Sequence, residues 1–306
     1  MIVERAVRVG GLAVRVVGPS NAAKRGAVVL VHGICLSGRV WGRWAEVIAH
    51  RGIEAWCVDL RGHGDSEGRE TVGAARIEDY AADVESVLDE SGALALVGHD
   101  MGGLVSQVVA ARRPMRGVAL VGSVGPGLSG PGNLDLLRRE LRPRYIQAIV
   151  RGKAWQPSPE DLTDLACDKL ADEEKTSLLS WVGPESGVAA REMIVTGVPV
   201  DESQIRCPVL VAATTFDRLT PPSRQRAIAS KYRADYVEFA QHSHLPMLEP
   251  GWERPAAVIG RWLEEAARLG EGKSSVARMV AARRAEASPT APKVEVVGES
   301  RPPPRS

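Results

Sequence analysis

Apolar and polar positions alternate at the start of the chain and then stop alternating. Val3–Val9 and Leu12–Val17 change character residue by residue around Gly10-Gly11, which predicts a hairpin with one wetted face. Short unbroken apolar runs follow: "AVVLV" at Ala27–Val31, then Ile53–Val58, "LALV" at Leu94–Val97, and Val118–Val121. Each has the length of a strand buried on both faces. Between them, apolar residues recur at helical spacing around Trp41–His50, over Ile77–Glu90, and from Leu104 to just before Pro114. Buried strands alternating with helices predict an α/β domain: a mostly parallel central sheet with helices on both faces.

That rhythm breaks at Gly122. "SVGPGLSGPGN" is a glycine- and proline-rich bend, and from Asn133 to about Val198 the pattern is helical without a clear strand. Strand text returns with "CPVLVAATT" at Cys207–Thr215 and "DYVEFA" at Asp235–Ala240, and "RPAAVIGRWLEEAARLG" closes as an amphipathic helix. The division expected is therefore a first core part over 1–126, a helical cap over 127–203, a second core part over 204–270, and a disordered tail over 271–306. The tail holds seven basic and four acidic residues and ends in a proline run, with little to bury beyond a short helix near Ser275–Glu286.

Composition narrows the function classes. The chain is 306 residues long, 44% hydrophobic and 25% charged, with a formal charge of +1, and it carries no basic stripe interleaved with aromatics. Nucleic acid is thus not an expected partner. Glu4, Arg5 and Arg8 interrupt the N-terminal apolar positions, unlike a signal peptide, and no apolar run reaches the roughly 20 residues of a membrane span. Cys35, Cys57, Cys167 and Cys207 are scattered without a CxxC pair. Free buried thiols in the cytoplasm are the expectation. The histidines lack metal-ligand spacing, so neither a metal nor another cofactor is expected.

The chemistry concentrates at "VGHDMGGL", a tight turn between a buried strand and a helix, with Asp100 at its apex. Together with "VLVHGI" at 29–34, "DLRGHGDS" at 59–66, "PVLVAATTFDRLTPP" at 208–222 and "HSHLPMLEPG" at 242–251, it makes the chain resemble an α/β-hydrolase fold protein, from Val3 to about Gly270. That family normally presents serine at this apex, in a G-x-S-x-G turn. With aspartate there, the chain resembles the epoxide hydrolase and haloalkane dehalogenase branch.

A carboxylate suits in-line displacement at a saturated carbon, which leaves an alkyl ester on the enzyme for water to hydrolyse. The resemblance implies Asp100 as nucleophile, His244 as base and Asp217 as the acid that orients it. It also implies an oxyanion hole from the backbone N–H groups of Ile34 and Met101. His244 fits the family's H-x-P-M-L-E run, and His242, two residues earlier, fits less well; Asp201 and Asp235 are weaker alternatives to Asp217. Epoxide opening to a vicinal diol is the expected reaction, on a small hydrophobic substrate with water, by a monomer or homodimer. It needs a donor for the leaving oxygen. The family uses two cap tyrosines, whereas this cap offers Tyr145 alone, with Trp155, Trp181 and Glu185 as other candidates. Met101 and Ile34 lack the side-chain N–H with which dehalogenases hold a halide. A non-hydrolytic or ligand-binding use of the fold, with Asp100 as a base, is the alternative reading.

Overall fold

Alternation along the strands sorts the interior into two cores, one on each face of the sheet. Val29, Val31, Leu96, Leu120 and Val211 point to one side, while Val28, Leu30, Val97, Val121 and Ala212 point to the other. The computed structural model describes residues 1–20, 25–127, 143–269 and 294–297. Its strands are β1 (Ile2–Val9), β2 (Leu12–Pro19), β3 (Gly26–Val31), β4 (Ile53–Val58), β5 (Ala95–His99), β6 (Gly117–Val121), β7 (Val209–Thr214), β8 (Asp235–Phe239) and β9 (Val294–Val297). They join in the order β1-β2-β4-β3-β5-β6-β7-β8-β9. The β1–β2 and β2–β4 pairs are antiparallel, and every later pair is parallel.

Helices α1 (Gly42–His50), α2 (Ile77–Ser91), α3 (Met101–Ala110), α8 (Pro222–Tyr232) and α9 (Glu253–Leu269) cover the sheet. Ile77, Val84, Leu104, Val108 and Ile228 fill the core under α2, α3 and α8. Trp44, Ile48, Ile259 and Leu263 fill the opposite core under α1 and α9. Burying each such aliphatic side chain stabilises the fold by about 1.5–3 kcal/mol. Among the described residues between β6 and β7 lie the α-helices α4 (Pro143–Val150), α5 (Pro159–Ala166), α6 (Asp172–Trp181) and α7 (Gly187–Arg191). The text before Pro143 that reads as helical falls outside the described residues, as does the short helix expected near Ser275–Glu286. Within the tail expected to lack structure, Val294–Val297 forms β9 on the open edge of β8. Valine-rich text of this kind finds order by adding to an unpaired edge, which local pattern alone does not reveal.

From β3 the chain crosses to β4 on one side and then returns to β5 on the other. The crevice between β3 and β5 is therefore a topological switch point, where α/β sheets bind ligands. Access to it depends on close backbone approach. A Cβ on Gly102, in the first turn of α3, would stand 2.3 Å from the carbonyl oxygen of His32 and 2.4 Å from that of Val31. Both are backbone atoms and cannot step aside. Gly102→Ala is expected to cost about 3 kcal/mol, read as a lower urea midpoint at unchanged slope.

Candidate active site

Four carboxyl-terminal strand ends supply the site. Asp100 follows β5 directly, in a backbone conformation (φ 50°, ψ −116°) that non-glycine residues rarely adopt. Such strain costs on the order of 1–3 kcal/mol and persists only where neighbours enforce it. Here the Asp100 N–H donates to the Val121 carbonyl at 3.2 Å, and the Asp100 carbonyl accepts from Val124 N at 3.0 Å and from Leu104 N at 3.3 Å. The side chain thus stands at the apex of the turn, 6% exposed.

Its carboxylate is already hydrogen-bonded by backbone. Ile34 N–H, in the turn after β3, donates to Asp100 Oδ2 at 3.1 Å, and the Met101 N–H also favours the charged form of this carboxylate. Gly33 makes this approach possible: a Cβ there would lie 2.9 Å from the Asp100 Cβ and 3.0 Å from Oδ2. Burial raises the Asp100 carboxyl above its ordinary value, while His244 and the two N–H donors pull it back.

His244, in the loop after β8, turns Nδ1 toward Asp217 Oδ2 at 3.0 Å. Asp217 lies past β7 and is held in turn by Leu219 N, Thr220 N and the Thr220 hydroxyl at 2.7–2.9 Å. Burial opposes charge on His244. Asp217, aided by Asp100 and Glu249, outweighs it and lifts the imidazole to about 9. Burial also works against the Asp217 carboxylate, yet His244 and Thr220 hold it below its ordinary value. These acidic neighbours, Asp217 above all, thus favour the protonated form of His244. Its loop is bracketed by Glu249, whose oxygens accept Ser243 N at 2.7 Å and Leu245 N at 3.1 Å. His99 Nε2 donates to the His244 carbonyl at 2.8 Å, and burial drops that ring to about 3, so it stays neutral.

The alternatives separate cleanly. His242 faces Glu249 through Nδ1 at 3.2 Å. Asp201 is exposed and caps a short turn through Ser203 N, and Asp235 takes the Trp262 indole N–H. Among the cap candidates, Tyr145 does not fit the donor role. Its single phenolic proton goes to Asp161 Oδ2 at 2.5 Å, and its oxygen accepts Ser158 N at 2.7 Å, all within the cap. Trp181 gives its N–H to Ser177 Oγ at 3.3 Å. Trp155 differs: its buried indole N–H has no partner among the described residues.

Glu185, which the sequence offers only as a candidate donor from the cap, instead sits as an acceptor at the turn after β3. It is wholly buried and accepts from Cys35 N, His63 Nε2, Tyr80 Oη and Ser186 N at 2.6–3.1 Å. Its only sequence signal is a lone carboxylate in "GPES", and no spacing rule links it to Cys35.

The sequence model described as the Alpha/beta hydrolase family matches residues 28–261. The chain is similar to a pimeloyl-acyl-carrier-protein methyl ester esterase of Chromobacterium violaceum, 28% identical over 237 residues, covering 72% of this chain and 88% of that one. It is also similar to epoxide hydrolase A of Mycobacterium tuberculosis, 35% identical over 106 residues, covering 33% of this chain and 32% of that protein. Its fold matches a thermophilic esterase from Thermogutta terrifontis with a TM-score of 0.64, at 23% identity over 87% of this chain and 99% of that one. Among the described residues no helix is long and apolar enough to cross a membrane.

Proposed function

The chain belongs to the alpha/beta hydrolase family, and on that premise we propose that it is a hydrolase working through an alkyl ester on Asp100, with epoxides as substrates and vicinal diols as products. One observation carries this reading: Asp100 Oδ2 itself takes the Ile34 N–H. A hole filled by the enzyme's own carboxylate is set for attack on that carboxyl carbon, and not on an incoming substrate carbonyl.

In the first step Asp100 Oδ1 attacks an epoxide carbon and the C–O bond breaks. The departing oxygen takes the proton of the His244 imidazolium, since the Tyr145 proton is committed to Asp161. Esterification removes the Asp100 charge, one of the influences that hold His244 near 9, so the neutral imidazole becomes a base. It then takes a proton from water as the hydroxide attacks the Asp100 carboxyl carbon, and Oδ2 carries the oxyanion in the hole. Collapse expels the diol oxygen, which is protonated from His244. The new carboxyl group returns its proton to His244, restoring the starting state. Asp217 keeps the ring in the orientation both steps need.

A halide leaving group needs no proton, only an N–H to lean on, and with the buried indole N–H groups of Trp41, Trp44 and Trp155 without partners among the described residues, dehalogenation is the second reading. Single turnover separates these readings. With enzyme in excess over styrene oxide in ¹⁸O-water, the first diol is expected to carry no label, and the peptide containing Asp100 is expected to gain it. Label in the diol alone would make Asp100 a base acting on water. Bromide release from 1-bromobutane without diol would move the substrate class to alkyl halides. Product from neither would remove the covalent reading.

A further inference from the structure

Strand alternation carries a histidine beneath the catalytic base. The period of two along β5 turns His99 to the same face as Val97, into the core where Trp41, Leu245 and Met247 are buried. Leu245 and Met247 belong to the loop after β8, so that loop and the end of β5 meet there. Gly33, in the turn after β3, makes room for the ring: a Cβ on it would stand 2.7 Å from His99 Nδ1.

His99 meets His244 in two ways. Its Nε2–H donates to the His244 carbonyl at 2.8 Å, and its ring packs against the His244 imidazole with centroids 4.7 Å apart. A carbonyl can only accept, so Nε2 carries the ring proton. Nδ1 then holds a lone pair and has no partner among the described residues. A second proton there would meet no acceptor, in a ring whose burial already opposes charge. His99 thus stays a neutral donor beside a base that charges and discharges.

Other contacts shape the base loop from elsewhere. Glu249, which holds Ser243 N and Leu245 N, is part of that loop, and Asp217 ties the His244 ring to the loop after β7. The His99 bond differs in where it starts. His99 is the last residue of β5 and directly precedes Asp100.

We propose that His99 is a positioning residue: by holding the His244 carbonyl and ring from the position beside Asp100, it fixes the base relative to the nucleophile. The kinetic consequence rests on the Asp100 ester reading; the geometric one does not. A base that delivers water to the Asp100 carboxyl carbon must be in register with it, and a misplacement of about 1 Å costs about 10²-fold. A base on a loosened loop, still paired with Asp217, loses part of that.

The test compares His99→Gln with His99→Met. Both new side chains are unbranched and similar in length. The Gln amide nitrogen stands as far along the chain from Cβ as histidine Nε2 does, whereas methionine has no donor. In crystal structures the Gln variant is expected to keep the His244 carbonyl in place, and the Met variant to show it displaced relative to Asp100. With enzyme in excess over styrene oxide, hydrolysis of the Asp100 ester is expected to slow about tenfold or more in the Met variant, with most of that rate recovered in the Gln variant. An undisplaced His244 in the Met variant overturns the proposal, as does equal slowing by both substitutions, which would leave His99 a packing role only. Should either variant fail to fold, His99→Phe is read instead, since it keeps a ring against His244 and lacks the donor. Slowing with a displaced His244 carbonyl then supports the proposal, and the parent rate overturns it. A parent protein that forms no ester would instead overturn the Asp100 reading, while the crystal structures still decide the role of His99.

Discussion

Asp100→Ser is expected to lower epoxide turnover by on the order of 10⁴-fold or more and, in the same protein, to open hydrolysis of simple esters such as p-nitrophenyl acetate. On the proposed mechanism the loss follows from removing the oxygen that would attack saturated carbon. The gain follows from what the smaller side chain vacates. In the parent, Asp100 Oδ2 occupies the Ile34 N–H, so an ester carbonyl finds that donor taken. With serine at the apex, both backbone N–H groups are free for a substrate oxygen, and His244 with Asp217 behind it can take the serine proton. The strained apex is the backbone setting in which the family places serine. Ester hydrolysis is expected to rise at least about 10²-fold over the parent, the scale of one restored oxyanion donor. A parent that cleaves the ester as fast as the variant would show that the Asp100 carboxylate does not block the hole.

Asp217→Asn is expected to cut turnover by about 10⁴-fold and to leave the ester on Asp100 as the accumulating species. An amide NH₂ turned toward His244 Nδ1 cannot accept its proton. The ring then takes the opposite tautomer, with Nδ1 as acceptor and Nε2 protonated, and loses its use as a base toward water. Intact mass during turnover checks this: the parent is expected unmodified on average, the variant heavier by one epoxide.

The same substitution changes stability with pH. Folded His244 titrates at about 9 against an ordinary 6.5. Its pairing therefore stabilises fully below pH 6.5 and is lost as pH rises through about 9. Asp217 is shifted the other way, so its share is present above its ordinary 3.8 and is lost as pH falls through the lower folded value. The stability difference between parent and Asp217→Asn is expected to shrink between pH 6.5 and 9, measured by urea unfolding. A difference that stays constant over that range would mean that His244 is not charged by Asp217.

Much of this protein is written locally. The apolar runs at 27–31, 94–97 and 118–121 read as central strands because Val28–Val31, Leu96, Val97 and Val118–Val121 are buried on both faces, while Leu94, 40% exposed, lies just before β5. Asp100 directly follows β5, and Asp217 and His244 lie in the loops after β7 and β8, so their places at one edge of the sheet follow once the strands are parallel. The Asp217–His244 contact and the backbone donors at Ile34 and Met101 were legible for the same reason: each is fixed by a turn next to a strand end. Tertiary structure decided the rest. Tyr145 could have served as a donor until Asp161, sixteen residues on in the cap, claimed its proton. Cys35 reads as an ordinary small residue, yet its left-handed turn is held by Glu185, 150 residues away. Val294–Val297 became a strand only because β8 left an edge open. Short-range pattern specifies which way a side chain faces; which partner it meets across the fold depends on packing that no single segment encodes.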